Sequence, residues 1–326
     1  MNKYIRTTLT SLALAIASTA AIAQVENKSV AISTIVEVPA LTETRDGILS
    51  ALADRGYVEG ENLTVDYQNA NGNMPTQQQI AKKFVGAAPD VIIPITTPTS
   101  QAMVAATSEI PIVFATVTDP VAASLIAQYE QPGANVTGVS DAAPIGAQLD
   151  MFQEIIPGLA TLGFIYNPGL DNAVATLGWV KEEGAKRGIT VVESPAPTTN
   201  EVILASRKLV GEVDAIYVPN DTTIVAALEA IVKIGQDVDL PVFAGETGAV
   251  ERGVIASVGL DYVGVGRVAG DMAADVLDGK PVGEIDAVIA YEVLDEFKVV
   301  VNPGAAERMG ISLPDSVMAR ATEVIE

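Results

Sequence analysis

Residues 28–67 read KSVAISTIVEVPALTETRDGILSALADRGYVEGENLTVDY, and residues 161–193 read TLGFIYNPGLDNAVATLGWVKEEGAKRGITVVE. Each opens on a short apolar run rich in β-branched residues, continues into an amphipathic helical stretch, and returns to a second apolar run. The helical stretches stop at Asp54-Arg55-Gly56 and at Lys186-Arg187-Gly188, where glycine supplies the left-handed residue that ends a helix. Two further units follow in step. Pro89-Asp90-Val91-Ile92-Ile93-Pro94 is answered by Val213-Asp214-Ala215-Ile216-Tyr217-Val218-Pro219, and Ile110-Pro111-Ile112-Val113-Phe114-Ala115 by Leu240-Pro241-Val242-Phe243-Ala244-Gly245. A pattern stated twice predicts two similar α/β lobes with a cleft between them.

Strand and helix signals alternate through the chain, the pattern of parallel sheets covered by helices. Predicted strands are Val30–Ile35, Leu63–Tyr67, Val91–Ile95, Ile112–Ala115, Leu162–Tyr166, Thr190–Glu193, Ala215–Val218, Val242–Ala244 and Ile255–Val258. Leu41, Ile48 and Leu52 mark one face of the first helix, and Val265, Ala269, Met272 and Val276 one face of a late helix over 263–278. The turn-rich Gly133–Gly138 ends the first lobe, and helices are expected over Gly304–Met309 and Pro314–Ile325.

Lys3 and Arg6 followed by apolar residues and Ala21-Ile22-Ala23 predict a cleavable secretory signal over 1–23, interrupted too often by Thr and Ser to span a membrane. The chain has no cysteine, so disulfides, thiol metal sites and a lipid-bearing cysteine are excluded; a periplasmic protein without a lipid anchor is expected. Histidine is also absent, which removes the commonest general base and a favoured metal ligand. The net charge is −22, or about −24 without Lys3 and Arg6, and such a surface repels nucleic acid and anionic lipid. A binding protein without cofactor or metal fits better than an enzyme. A hydrolase would have only carboxylates, Lys or Tyr to work with.

In open parallel sheets ligands bind beyond the carboxyl ends of the strands. The loop after Ile95 carries Thr97, Thr99 and Ser100 around Pro98, hydroxyls and a helix start suited to a carboxylate. Its counterpart in the second half carries Asn220 and Asp221. The loop after Ala115 carries Thr116, Thr118 and Asp119, and its counterpart carries Glu246. One pole offers hydroxyls, the other carboxylates, which suits a zwitterion. Ser100→Ala and Glu246→Ala are each expected to weaken binding at least tenfold. Tyr166, Tyr217 and Phe114, near strand ends, are candidates for the rest of the pocket. Gly264-Val265-Gly266 lacks the strand-then-glycine spacing of a dinucleotide loop, and Trp179 reads as a packing residue.

The series Glu37-Val38-Pro39-Ala40-Leu41, Gly56–Gly60, Asp66–Ala70, Thr118-Asp119-Pro120, Asn135–Asp141, Tyr166-Asn167-Pro168 and Pro241–Gly245 resembles the ABC-transporter substrate-binding proteins of the tryptophan/tyrosine-binding type. The resemblance covers essentially the whole mature chain. It implies a type I periplasmic-binding-protein fold: two Rossmann-like lobes with parallel sheets and three hinge crossings. Lobe 1 would comprise 24–139 plus 262–290, and lobe 2 would comprise 140–261 plus 291–326. It adds Glu37, Pro39, Asp141 and Asn167 to the candidate ligand residues. Where that family often has His, Asp and Asp, this chain has Val38, Thr42 and Glu246, so ligand identity does not transfer. The expected function is capture of an amino acid, an aromatic one favoured, by hinge closure and its delivery to a membrane permease driven by a separate ATPase. A receptor for a sugar or other neutral solute, and a sensory receptor, are the alternatives.

Overall fold

The computed structural model describes residues 27–294 and 297–325. The expected signal, residues 1–23, lies outside the described residues. The first lobe opens with β1 (Lys28–Thr34), α1 (Pro39–Asp54), β2 (Leu63–Asn69) and α2 (Met74–Ala87). It continues with β3 (Val91–Ile95), α3 (Thr97–Val104), β4 (Ile112–Phe114) and β5 (Val136–Ser140). The second lobe holds α4 (Ile145–Ile155), β6 (Thr161–Tyr166), α5 (Asp171–Lys186), β7 (Thr190–Pro195) and α6 (Val202–Leu209). Next come β8 (Ala215–Val218), α7 (Thr222–Val225), α8 (Leu228–Asp237), β9 (Val242–Ala244) and β10 (Ala256–Gly259). The chain then forms α9 (Tyr262–Leu277), β11 (Val288–Ile289) and α10 (Ala290–Val293). It ends in β12 (Lys298–Val301), α11 (Pro303–Arg308), α12 (Asp315–Arg320) and β13 (Glu323–Val324).

A six-stranded parallel sheet, β11-β5-β4-β3-β1-β2, forms one lobe, and a four-stranded parallel sheet, β7-β6-β8-β9, forms the other. β10, β12 and β13 extend the second: Ile255 N donates to Val242 O at 2.9 Å, and β10 runs antiparallel to β12. The chain passes between the lobes three times: after Ser140, between Gly259 and Tyr262, and between Val293 and Lys298. The two glycine stops behave alike, with φ +89° at Gly56 and +71° at Gly188, conformations that a Cβ would strain.

The first lobe keeps a core on each face of its sheet. Ile48, Leu52, Val265 and Ala269 cover one face from α1 and α9, and Ile80, Phe84 and Met103 cover the other from α2 and α3. A single cluster around Phe152, Phe164 and Phe243 fills the second lobe, with Phe152 and Phe243 stacked at 4.2 Å. Each such fully buried side chain contributes roughly 1.5–3 kcal/mol.

α1 and α9 approach so closely that only glycine fits between them. A methyl group at Gly266 would lie 2.0 Å from Thr44 O, one at Gly47 2.2 Å from Val263 O, and one at Gly270 2.6 Å from Ile48 O. Gly266 and Gly270 therefore serve helix packing. Arg267 closes the seam at its edge, donating to Ser50 Oγ at 2.8 Å and Asp54 Oδ2 at 2.7 Å.

Two local expectations need correction. α3 begins at Thr97, so Thr97, Thr99 and Ser100 form its first turn and not a loop ahead of it. The last segment is not one helix over 314–325. α12 ends at Arg320, and β13 pairs with β12 because β-branched Thr322, Val324 and Ile325 suit an edge strand: Thr322 N and Ile325 N donate to Val299 O and Val301 O, both at 2.8 Å.

Candidate functional site

A cavity of about 40 Å³ lies between the lobes, at the carboxyl ends of their strands. That is well below the roughly 300–1,000 Å³ usual for small-molecule sites, so the lobes must part to admit a ligand. Its first wall is Val38, Ala40 and Leu41 at the start of α1, with Thr96 and Thr97 at α3 and Thr116 and Thr118 after β4. Asp141, at the end of β5, and Tyr262, the first residue of α9, stand at two of the crossings. The second lobe supplies Asn172, Asn220, Thr222, Val225 and Glu246. No lysine or arginine is among the described residues that line it.

Local backbone geometry sets this up. Thr96 and Thr116 are buried non-glycine residues with φ of +88° and +51°, conformations that cost about 1–3 kcal/mol each. Thr96 N donates to Ala115 O at 3.0 Å, which fixes the tight turn into α3. Pro98 occupies the first turn, where a missing N–H is harmless; Ser100 N donates to Thr96 O at 3.0 Å, which leaves the Thr97 and Thr99 N–H groups without an acceptor within the helix. The positive end of α3 thereby meets the cavity.

On the other side the polar groups are acceptors. Asp141 is buried, receiving Thr118 Oγ1 at 3.2 Å, Asn220 Nδ2 at 3.4 Å and the Tyr262 hydroxyl at 3.5 Å. Asn220 Nδ2 also donates to the Tyr262 hydroxyl at 2.9 Å, and Asn172 Nδ2 to Asn220 O at 2.7 Å. Burial raises the Asp141 carboxyl, and raises Tyr262 far enough to keep its hydroxyl protonated. Glu246 is 5% exposed and its pKa is pushed up to about 7, first by burial, with Asp141 and Glu43 adding repulsion and Arg252 opposing. Four buried atoms here have no partner: Thr97 Oγ1, Asn172 Oδ1, Asn220 Oδ1 and Glu246 Oε1. Unpaired buried polar atoms cost about 1–3 kcal/mol each, so a cluster of them around a cavity marks a place for a ligand's donors and acceptors.

Of the sequence candidates, Thr97, Thr116, Thr118, Asp141, Asn220 and Glu246 come together here. Others are placed elsewhere. Ser100 Oγ donates to Thr96 O at 2.8 Å, and Thr99 Oγ1 lies 3.0 Å from Thr96 Oγ1, so both are engaged within their own turn. Asp119 caps the following turn through Ala122 N at 2.9 Å. Asp221 is the N-cap of α7, accepting from Thr223 N and Ile224 N, and from Asn167 N at 2.6 Å. Asn167 lines an adjoining pocket, the Tyr166 hydroxyl is tied to Glu193 at 2.8 Å, and Tyr217 and Phe114 are core residues. Glu37 is exposed beside Arg45, and Pro39 packs under Gly248 while its neighbours Val38 and Ala40 face the cavity. Asn172, Val225 and Tyr262 escaped the sequence reading. The signal for Tyr262 was its place directly after the second crossing at Gly259-Leu260-Asp261.

Since Thr97 Oγ1 is buried and free whereas Ser100 Oγ is satisfied, Thr97→Val should weaken ligand binding about tenfold by calorimetry. Ser100→Ala should change it less than about threefold.

Two α/β lobes, three crossings and a polar cavity shut between them define a receptor that encloses a small solute. Residues 29–325 match the family described as ABC transporter substrate binding protein, and the chain belongs to that family. It is 39% identical over 277 residues to a tyrosine-binding protein of Clostridioides difficile, covering 85% of this chain and 79% of that one. Among solved structures, a conserved domain protein from Vibrio cholerae is 43% identical with a TM-score of 0.88, over 92% of this chain and 100% of that one. A Streptococcus pneumoniae ABC domain in complex with L-Trp is 31% identical with a TM-score of 0.87, with the same coverage. A ligand-free, open Clostridium difficile substrate-binding protein is 35% identical over 92% of this chain and 99% of that one, but its TM-score is 0.70. Higher identity with poorer superposition means that the lobes here are arranged as in the ligand-bound relative. The lobes are closed, and Gln101 Nε2 of α3 donates to Asp171 Oδ2 of α5 across the cleft at 2.7 Å.

Proposed function

We propose that this chain captures an amino acid, an aromatic one favoured, in the cavity between its lobes and presents it to a membrane permease powered by a separate ATPase. The site of action is the periplasm, after removal of residues 1–23. The observation that carries this reading is the unpartnered, buried Glu246 Oε1 in a cation-free cavity that also meets the N-terminus of α3. A ligand ammonium answers Glu246 and Asn220, and its carboxylate answers Thr97 and the first-turn amides of α3. Val38, Leu41 and Val225 remain for the side chain. The names of two relatives, one tyrosine-binding and one holding L-Trp, support the class. A neutral sugar supplies no cation to Glu246 Oε1.

Contacts to both lobes favour the closed state, and only that differential affinity shifts the population. The bodies proposed to move follow the three crossings: residues 28–140 with 262–293 form one, and 141–259 with 298–325 the other, a shift of a few residues from the bounds expected from sequence at the first and third crossings. The test is a thermal-shift screen of the amino acids against common sugars and inositol. Tyrosine or tryptophan at about 100 times its Kd should stabilise the protein by about 2.7 kcal/mol. A rise with a sugar and with no amino acid overturns the reading.

A further inference from the structure

The closed cavity contains an imbalance that the ligand's two poles do not by themselves resolve. Asp141 and Glu246 are two buried carboxylates against one wall, and no Lys or Arg is among the described residues lining the space. Their surroundings differ. Asp141 is held by donors from Thr118, Asn220 and Tyr262, whereas Glu246 Oε1 has no partner at all. The charged groups facing Glu246 come from several elements. Glu43 from α1 and Asp141 from β5 repel a charge there, Tyr262 from α9 stays a neutral hydroxyl, and Arg252 attracts from the segment after β9. The Arg252 guanidinium is held through Nε and Nη2, at 2.8 and 3.0 Å from the Glu229 carboxylate, and through Nη2 to Val225 O at 2.8 Å. Its remaining nitrogen, Nη1, is buried without a hydrogen-bond partner, so it does not bond to Glu246 Oε1 in this structure.

We infer that the site exchanges a proton for its ligand: Glu246 holds a proton when the cavity is shut without ligand, and a primary ammonium enclosed as the lobes close takes its place, the proton passing to solvent. The inference rests on the amino-acid reading above and adds to it the ionic state of capture. The exchange balances charge, because the ammonium carries all its own protons and the carboxylate gives up the one it held. Ligands without a charged amine cannot drive it. Burial, which holds the Glu246 pKa at about 7, places the exchange in the neutral range. The bound ammonium stabilises the carboxylate, so the liganded state holds fewer protons and affinity rises with pH until Glu246 is already ionised in the free protein. Asp221, with a pKa near 6, is kept apart from the exchange, because it lies outside the cavity with its oxygens on the Asn167, Thr223 and Ile224 amides.

Calorimetry with tyrosine and tryptophan in buffers of different ionisation heat tests this on the full mature chain. About half a proton should be released per ligand at about pH 7, approaching one at about pH 6 and none at about pH 9. Affinity should drop about tenfold per pH unit below about 7. Infrared difference spectra should show a protonated-carboxyl band lost on ligand addition, and Glu246→Gln should lack that band even where it binds too weakly for calorimetry. Tight binding with no proton release and flat affinity across this range overturns the inference and leaves the amino-acid reading standing. A band that persists in Glu246→Gln overturns the assignment to Glu246. Failure of every amino acid to bind overturns both.

Discussion

Glu246→Gln should weaken amino-acid binding by about a hundredfold or more and, at about pH 8, raise the melting temperature of the ligand-free protein. Loss of a desolvated charge partner in a binding site costs about 2–5 kcal/mol, and each 1.4 kcal/mol is a factor of ten. The stability effect has the opposite sign. Burial raises the Glu246 carboxyl from its ordinary value of 4.5 to about 7, so the folded chain binds this proton more tightly than the unfolded chain. The associated stability is complete below about pH 4.5 and is lost as pH rises through about 7, where folding begins to bury a charge. Glutamine carries no such charge. The melting-temperature gain should therefore be largest at about pH 8 and absent at about pH 4. A structural role alone predicts the reverse, a loss of stability at both.

Gly266→Ala should lower the melting temperature by about 6–10 °C, the other large effect. Its Cβ would meet the backbone of Thr44, with O at 2.0 Å and C at 2.8 Å, and backbone inside a buried helix cannot yield. Overpacking costs roughly 1–3 kcal/mol and more against main chain, and a protein of this size shifts by about 2–4 °C per kcal/mol. Because α1 carries Val38, Ala40 and Leu41 and α9 carries Tyr262, forcing the helices apart also moves one cavity wall. Gly178→Ala in α5, with nothing within 4 Å of the added methyl, is the control and should stabilise slightly. Equal melting temperatures for the two variants would show that the α1–α9 seam is slack.

The strands and the glycine stops were legible because short apolar runs rich in β-branched residues and glycines such as Gly56 and Gly188 are local signals. The placement of α9 beside α1 was not; it follows from chain crossings that no window of sequence contains, and the family resemblance supplied its lobe but not its partner helix. The site shows the same division. Loops after β3, β4, β8 and β9 could be chosen from the rule that ligands bind at strand carboxyl ends, and these loops do hold Thr97, Thr116, Asn220 and Glu246. Which side chain in a loop turns inward depends on where the next helix begins. α3 starts at Thr97, so Thr97 lines the cavity while Ser100, three residues on, bonds to Thr96 O. Asp221 is spent on capping α7 and leaves Asn220 to the cavity. Polar residues at helix starts serve caps and ligands with the same chemistry, and sequence alone does not tell them apart.

The seam between α1 and α9 also governs the order in which the molecule can be built. α1 ends at Asp54, yet its partner helix is made only after the chain has laid down the whole second sheet from β6 to β10. Until Leu277 is available, that face of the first sheet is covered by α1 alone, through Ile48 and Leu52, and lacks Val265 and Ala269. Contacts spanning more than two hundred residues carry a large loop-closure entropy and form late. The second lobe's four parallel strands lie within a single uninterrupted stretch from Thr161 to Ala244, so that lobe can assemble its sheet first. Although the amino-terminal half is synthesised earlier, it is the half that must wait, with one face of its sheet only partly covered in the meantime.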